Sequence, residues 1–333
     1  MPKVSIVVLN FNGRKFLNNC LRSVFGSSHK DFEVILVDNN SNDGSADIAY
    51  AEFSRNLNFK LIRNCRNYGY AEGNNIGVSF SSHDAKYIVL LNPDTVVDPF
   101  WLDPMVSCMQ DEKVAVIQPK ILMMNKNKKI DSVGHFVDML TFTVQVGYNE
   151  SDTGQYDQVR KIFGANGSAI MIKKDVFLKL KGFDTDFFMY FEESDFCWRV
   201  WLLGYQILCV PKAVVYHYSG GLTEGTTVME KRLYFTFRNK YYSMIKNLEL
   251  YRLILWFPIS LILRFGLFFF TRSKREYLIS YIKAVLSVLT HMSLPIRKRN
   301  ELIRAINNTE LLNQGVIKPF NIYYLLNKTC MDA

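Results

Sequence analysis

No C-x-x-C pair occurs among the six cysteines, Cys20, Cys65, Cys108, Cys197, Cys209 and Cys330. Reduced thiols in a cytoplasmic chain are therefore expected. A secretory leader is not expected either. The first apolar run, Val4–Leu9, has six residues and ends at Asn10, too short for a signal h-region. The nine prolines and 18 glycines among 333 residues exclude collagen-like and linker sequences. Charge is modest, at 21% against 49% hydrophobic residues, which excludes a disordered chain. G-x-G-x-x-G is missing after the opening run, which continues Asn10-Phe11-Asn12-Gly13; that argues against a dinucleotide-binding domain. No internal repeat is evident. No unbroken apolar stretch reaches the roughly 20 residues of a spanning helix: Leu253–Phe270 is 18 residues interrupted by Pro258 and Arg264, which disfavours crossing but leaves it open.

What is present is divided unevenly. Residues 1–230 hold 23 Lys/Arg and 26 Asp/Glu, and residues 231–333 hold 17 and 5. The formal charge of +9 is thus a mildly acidic body joined to a basic tail, and such a tail predicts an anionic surface partner. The body shows β-rich apolar runs at Val4–Leu9, Phe32–Val37, Phe59–Ile62, Tyr87–Leu91 and Val114–Ile117. Helical spacing marks Lys15–Ser27, Tyr70–Phe80 and Asp98–Gln110 between them. This alternation predicts a doubly wound, mostly parallel α/β sheet. Residues 120–160 read as polar, with an exposed turn at Asn125–Lys129. A strand at Ser168–Ile172, helices at Asp175–Lys181 and Glu193–Leu203, and a short last strand at Val214–Tyr216 close a domain expected to span 1–225. Residues 226–333 are expected to form a helical, basic, membrane-associating region. Tyr277–Ile296 there places Leu278, Tyr281, Ile282, Val285, Leu289 and Met292 opposite Ser280, Lys283, Ser287 and His291. That pattern suits a helix lying in an anionic membrane interface; a helical subdomain packed on the body is the alternative. The apolar runs favour lipid over nucleic acid.

In parallel sheets ligands bind beyond the carboxyl ends of the strands. That rule selects Asn10, Asp38, Arg63–Asn67 and Asn92–Asp94. Asp38 can accept hydrogen bonds from a base or ribose, whereas Asp43 suits a helix cap. Asn64–Gly77 is rich in Gly and Asn, residue types that let a backbone approach a diphosphate closely. Asp94 can hold a divalent cation bridging a substrate diphosphate. Glu192, Glu193 and Asp195 crowd three acids between aromatics, which can raise one toward the range of a general base. His217, following Val214–Tyr216 and preceding Gly220-Gly221, is as well read as a structural histidine as a metal ligand.

Taken in order, these segments resemble glycosyltransferase family 2, inverting enzymes of the GT-A fold, and most nearly its rhamnosyltransferase-like branch. The matching residues are Val4–Asn10, Val37–Ser45, Asn67–Asn75, Leu91–Asp94, Gly164–Gly167, Gly182–Asp184 and Phe191–Asp195. The resemblance implies a nucleotide-sugar donor held by Asn10, Asp38, Asn40, Asp43, Asn67, Gly69, Asn74, Asn92 and Asp94, with Asp38 on the nucleobase. It implies a divalent metal, Mn2+ or Mg2+, on Asp94, where Asn92 replaces the first acid of D-x-D, with His217 assisting. It implies Glu193 as catalytic base, with Glu192 and Asp195 orienting it or the acceptor, and Arg199 balancing their charge. The expected acceptor is a glycan or lipid-linked hydroxyl at the cytoplasmic membrane face. A sugar nucleotidyltransferase would need a Gly-rich basic loop after the first strand, which Asn10–Lys15 does not supply. A non-catalytic membrane-bound scaffold is the other alternative.

Overall fold

The computed structural model describes residues 3–218 and 226–320. The opening Val/Ile/Leu run is a strand buried along its whole length, β1 (Val4–Asn10). There follow α1 (Leu17–Phe25), β2 (Phe32–Asp38), α2 (Ser45–Phe53), β3 (Phe59–Arg63), α3 (Gly69–Ser79), β4 (Tyr87–Leu91), β5 (Thr95–Val97), α4 (Leu102–Cys108) and β6 (Val114–Met123). Next are β7 (Ile130–Ser132), β8 (His135–Asp138), β9 (Thr143–Gln145), β10 (Arg160–Lys161), β11 (Ala169–Lys173), α5 (Lys174–Lys179), α6 (Glu192–Leu202) and β12 (Gln206–His217). The last described elements are α7 (Thr226–Asn247), α8 (Leu250–Gly266), α9 (Lys274–Thr290), α10 (Ser293–Asn300), α11 (Asn308–Asn313) and β13 (Ile317–Lys318).

The main sheet runs β10-β12-β6-β11-β4-β1-β2-β3, with β5 on β12 and β7 on β6. β4, β1, β2 and β3 are parallel, while β11 is inserted antiparallel between β4 and β6. Alternation along each strand sorts side chains to two faces. Val4, Ile6 and Val8 join Val34 and Leu36 beneath α1, α2 and α4. Val7, Leu9, Ile35 and Val37 belong to the other core, with α3, α6, α7 and α9.

Three expectations change. The 120–160 stretch contributes β7, β10 and the β8–β9 hairpin, and β13 pairs with β8. Its polarity serves a buried lysine: Lys120 reaches Asp152 and the exposed Asp157. The last strand has 12 residues, not three. Its register shifts between Val210 and Val214, around Pro211, which has no N–H to give. On α9 the buried side is Tyr277, Ser280, Tyr281, Ala284 and Val288, while Ile282, Leu286 and Leu289 face outward. Ser280 is buried because its hydroxyl donates to Glu230 O.

The helical region packs on the body. Phe237, Tyr241 and Met244 of α7, and Leu248 just after it, share the core of α3 and α6. Part of the tail's charge is spent there, since Lys246 and Lys298 both pair with Asp184. Arg264 points inward, donating to Leu140 O and Thr141 Oγ1 and lying 4.3 Å from the Phe142 ring centre. The outward face of α8 is thereby left free of that charge. Leu250–Phe269 is the one stretch among the described residues long and apolar enough to cross a membrane by itself, and little of it is buried.

Candidate active site

Asn10 and Asp38 end adjacent parallel strands and are register partners. Asn10 Nδ2 donates to Asp38 Oδ1, Ser41 Oγ and Ser45 Oγ at 3.1, 3.1 and 2.8 Å. Its Oδ1 is buried with no hydrogen-bond partner. Asp43 caps the same corner, accepting from Ser45 N–H and Arg14 N–H. Asn40 stands at the rim with a positive φ of 67°.

Asn39, passed over in the sequence, ties this corner to the next loop. Its Nδ2 donates to Asn67 Oδ1 and Gly69 O, and its Oδ1 accepts from Asn64 Nδ2 and Tyr68 N–H. Gly69 has φ +78°, and a Cβ there would fall 2.4 Å from Phe188 O, so no other residue fits. The later glycines do not cradle phosphate. Side chains at Gly73 and Gly77 would strike Leu9 and Val7 of β1, so these residues serve close packing of helix on sheet. Asn74 is likewise turned inward, donating to Tyr70 O one helical turn back.

On the other side of β1, Asn92 and Asp94 follow β4. Asn92 N–H donates to Ser168 O, and its carbonyl accepts from Thr95 Oγ1. The β5–β12 pairing, with His217 opposite Thr95, carries His217 to Asp94. His217 Nε2 is 3.5 Å from Asp94 Oδ1, and His217 Nδ1 is 2.7 Å from Asp131 Oδ2. Burial alone would lower the imidazole pKa; Asp131 and Asp94 instead lift it to about 9. Asp131 lies in the stretch read as polar loop, and nothing in the sequence pointed to it. Asp94 Oδ1 is buried and accepts no hydrogen bond of ordinary geometry. No group of three or more His, Cys, Asp or Glu suited to a metal occurs among the described residues. Asp94 and His217 still fit an ion that takes its other ligands from phosphate and water. Asp131 would hold the imidazole for that purpose. Gly220 and Gly221 lie outside the described residues.

The acids divide. Glu192 and Glu193 open α6, with Glu192 buried and Glu193 half-buried. Burial, then Glu193, pushes Glu192 far above the carboxylate range. Burial lifts Glu193 to about 7, against the lowering effect of hydrogen bonds to its carboxylate. Glu192 Oε2 has no partner. Two such carboxyls share protons as a unit. Burial raises the Tyr70 hydroxyl, and Glu192, Glu193 and Asp94 add to the effect; this ring therefore stands within the field of both acid sites. Asp195 is placed differently from the expectation. It is fully buried and accepts from Arg199, Ser243, Lys246 and Asn247, which leaves it joining α6 to α7. Arg199 completes that joint through Leu180 O and Gly182 O and does not neutralise the glutamates.

Buried carboxylates thus stand at the strand ends on either side of β1, and a protonatable acid pair opens α6. The model of glycosyl transferase family 2 matches residues 5–193. That is more than half of the chain, and the protein belongs to this family. It is 24% identical over 204 residues to the low-salt glycan biosynthesis hexosyltransferase Agl10 of Haloferax volcanii, covering 60% of this chain and 62% of that protein. Among solved structures, GalNAc-T7 with UDP, GalNAc and Mn2+ matches with TM-score 0.59 and 18% identity, over 73% of this chain and 47% of that one. The mannosyltransferase PcManGT from Pyrobaculum calidifontis with GDP-Man and Mn2+ matches with TM-score 0.56 and 14% identity, over 87% and 76%. The fold is of the GT-A type, as the resemblance implied.

Proposed function

We propose that this glycosyltransferase moves a sugar from a nucleotide-sugar donor to a hydroxyl of a glycan or lipid-linked acceptor, with inversion, at the cytoplasmic face of a membrane. The observation that carries the catalytic reading is the Glu192–Glu193 pair at the start of α6, with Glu192 Oε2 unpartnered and both carboxyls raised by burial, in a fold that sets Asp38 and Asp94 at or just past its strand ends. Asp38, oriented by Asn10 and Ser41, serves the nucleobase. Asn67 and Gly69, fixed through Asn39, shape the same wall. Asp94, with His217, would hold a divalent cation, Mn2+ or Mg2+, which when bound would neutralise charge on the leaving diphosphate. Glu193 takes the proton of the acceptor hydroxyl, which attacks the anomeric carbon from the face opposite the leaving group. Glu192, protonated, keeps its neighbour from carrying an unshielded second charge. One displacement through an oxocarbenium-like transition state inverts the centre. A role in polysaccharide or glycan biosynthesis accords with the Haloferax relative's name.

Two features support the membrane part. Tyr251, Ile254, Leu255, Ile262 and Phe265 are exposed along α8 and Phe269 just beyond it, and exposed Arg272, Lys274 and Arg275 follow. Apolar residues beside bases suit an anionic interface. The activity is tested by release of nucleoside diphosphate from a panel of UDP-, GDP- and dTDP-sugars with Mn2+ or Mg2+. Release from at least one donor, dependent on Glu193, is expected; inactivity across the panel despite tight nucleotide binding would favour the scaffold reading. Co-sedimentation with phosphatidylglycerol vesicles, but not with phosphatidylcholine vesicles, is the expected membrane result.

A further inference from the structure

The segment just before the acid pair has an unusual backbone. Phe188, Tyr190 and Phe191 have φ of 62°, 68° and 72°, a region side chains with a Cβ enter only when their surroundings hold them there. Phe191 is the residue immediately before Glu192, so these angles set where α6 begins and where its first side chains point. One side of the hold comes from the donor wall: Tyr70 and Ala71 N–H both donate to Phe188 O, at 2.7 and 3.1 Å. The other side comes from α7, 50 residues further along the chain. Asn239, fully buried, directs its amide nitrogen at three backbone carbonyls, Phe187 O, Met189 O and Tyr190 O, at 3.0, 2.8 and 2.6 Å. An amide has two N–H groups, so one of them is shared between two carbonyls. Its other end is committed as well. Asn239 Oδ1 accepts from Arg238 Nε and Nη2, which leaves the amide one way to face. Arg238 in turn donates to Asp186 O and Phe187 O. The ring of Phe235 stacks on that of Phe188, 5.3 Å between centres.

We propose that Asn239 is a positioning residue for the Glu192–Glu193 pair, so that α7 is part of the catalytic apparatus rather than only a connection to a membrane-facing region. This rests on Glu193 being the base. The amide is the donor to Met189 O and Tyr190 O, while Phe187 O also accepts from Arg238 and from Met189 N–H. Without it the turn relaxes, α6 starts in a different direction, and the carboxyls leave both their burial and the acceptor. Misplacing a reacting group by about 1 Å costs on the order of 100-fold in rate.

The test uses the full chain, Asn239→Ala and Asn239→Ser, with Asn308→Ala as comparison. Asn308 bonds Trp198 and Asn247 O in the same helical region without touching the turn. Turnover is read as nucleoside diphosphate release, donor binding as calorimetry with UDP and GDP plus Mn2+, and local order as hydrogen exchange of amides 187–195. For Asn239→Ala we expect kcat down on the order of 100-fold, nucleotide affinity within threefold, and the acidic limb of the pH–rate profile displaced toward lower pH. Amide exchange should rise at 187–195 alone. Asn239→Ser, which keeps one donor, should fall between, and Asn308→Ala should lose thermal stability while keeping the wild-type pH profile. Exchange that rises uniformly, or a kcat loss matched by Asn308→Ala at equal stability, would overturn the proposal. Glu193→Gln separates the two ideas: if that variant turns over normally, the base assignment fails, and the exchange pattern alone then judges the clasp.

Discussion

Two acid clusters lie within twelve residues of each other in sequence and have opposite fates. Asp184 and Asp195 face Lys246, Lys298 and Arg199. Burial alone would raise Asp184, but the two lysines hold it well below its ordinary value. Glu192 is buried and Glu193 half-buried, yet no lysine or arginine pairs with them among the described residues, and both are raised. Saturated carboxylates hold helices together; carboxylates short of donors are poised for proton transfer. The contrast also separates two uses of the tail's positive charge, since the lysines that join the helices to the body are no longer offered to a lipid surface.

The contrast can be broken from either side. The largest effect is expected for Glu193→Gln, which should cut turnover by about 10²- to 10⁴-fold while UDP or GDP binding by calorimetry changes little. Near-normal turnover would end its assignment as base. On the saturated side, Asp195→Ala leaves Lys246 and Arg199 buried without a shared partner. It should cost about 3–5 kcal/mol in urea unfolding, whereas Glu192→Gln should cost little or nothing. Asp131→Asn, acting through His217, should weaken Mn2+-dependent nucleotide binding about 10- to 100-fold, with Mn2+-free binding unchanged. The smallest effect concerns pH. A carboxyl raised to about 7 when folded binds more protons folded than unfolded, so it lowers stability as pH rises from its unfolded value toward 7. Glu193→Gln should therefore stabilise the protein at pH 8 by roughly 3 kcal/mol and leave it unchanged below about pH 4. Equal melting gains at both pH values would mean the group is not raised.

Much of the site was legible because strand ends announce themselves. A Val/Ile/Leu run closing on Asp38, and another followed by Asn92-Pro93-Asp94, place polar groups at the carboxyl edge of a parallel sheet. Tyr87–Leu91 was delimited to the residue. What escaped were partners whose meaning is a distance. Asp131 lies 86 positions from His217 and Asn39 is 28 from Asn67. Each is an ordinary polar residue until β6, β7 and β12 align, or β2 meets the loop before α3. Asp195 was overvalued for the same reason, since its donors on α7 are about 50 residues away.

The sequence by itself determined the alternating α/β order, the carboxylates at the strand ends, the crowding of acids in the first turn of α6 and the basic excess of the tail. These follow from periodicity and local composition, which are properties of neighbours along the chain. Tertiary structure alone decided which acid is starved of donors and which is saturated, that Arg264 turns inward, and that α7 clasps the turn ahead of Glu192. Burial and charge pairing depend on groups brought together across the fold, and the free energy of a carboxylate is set by those groups rather than by its place in the chain.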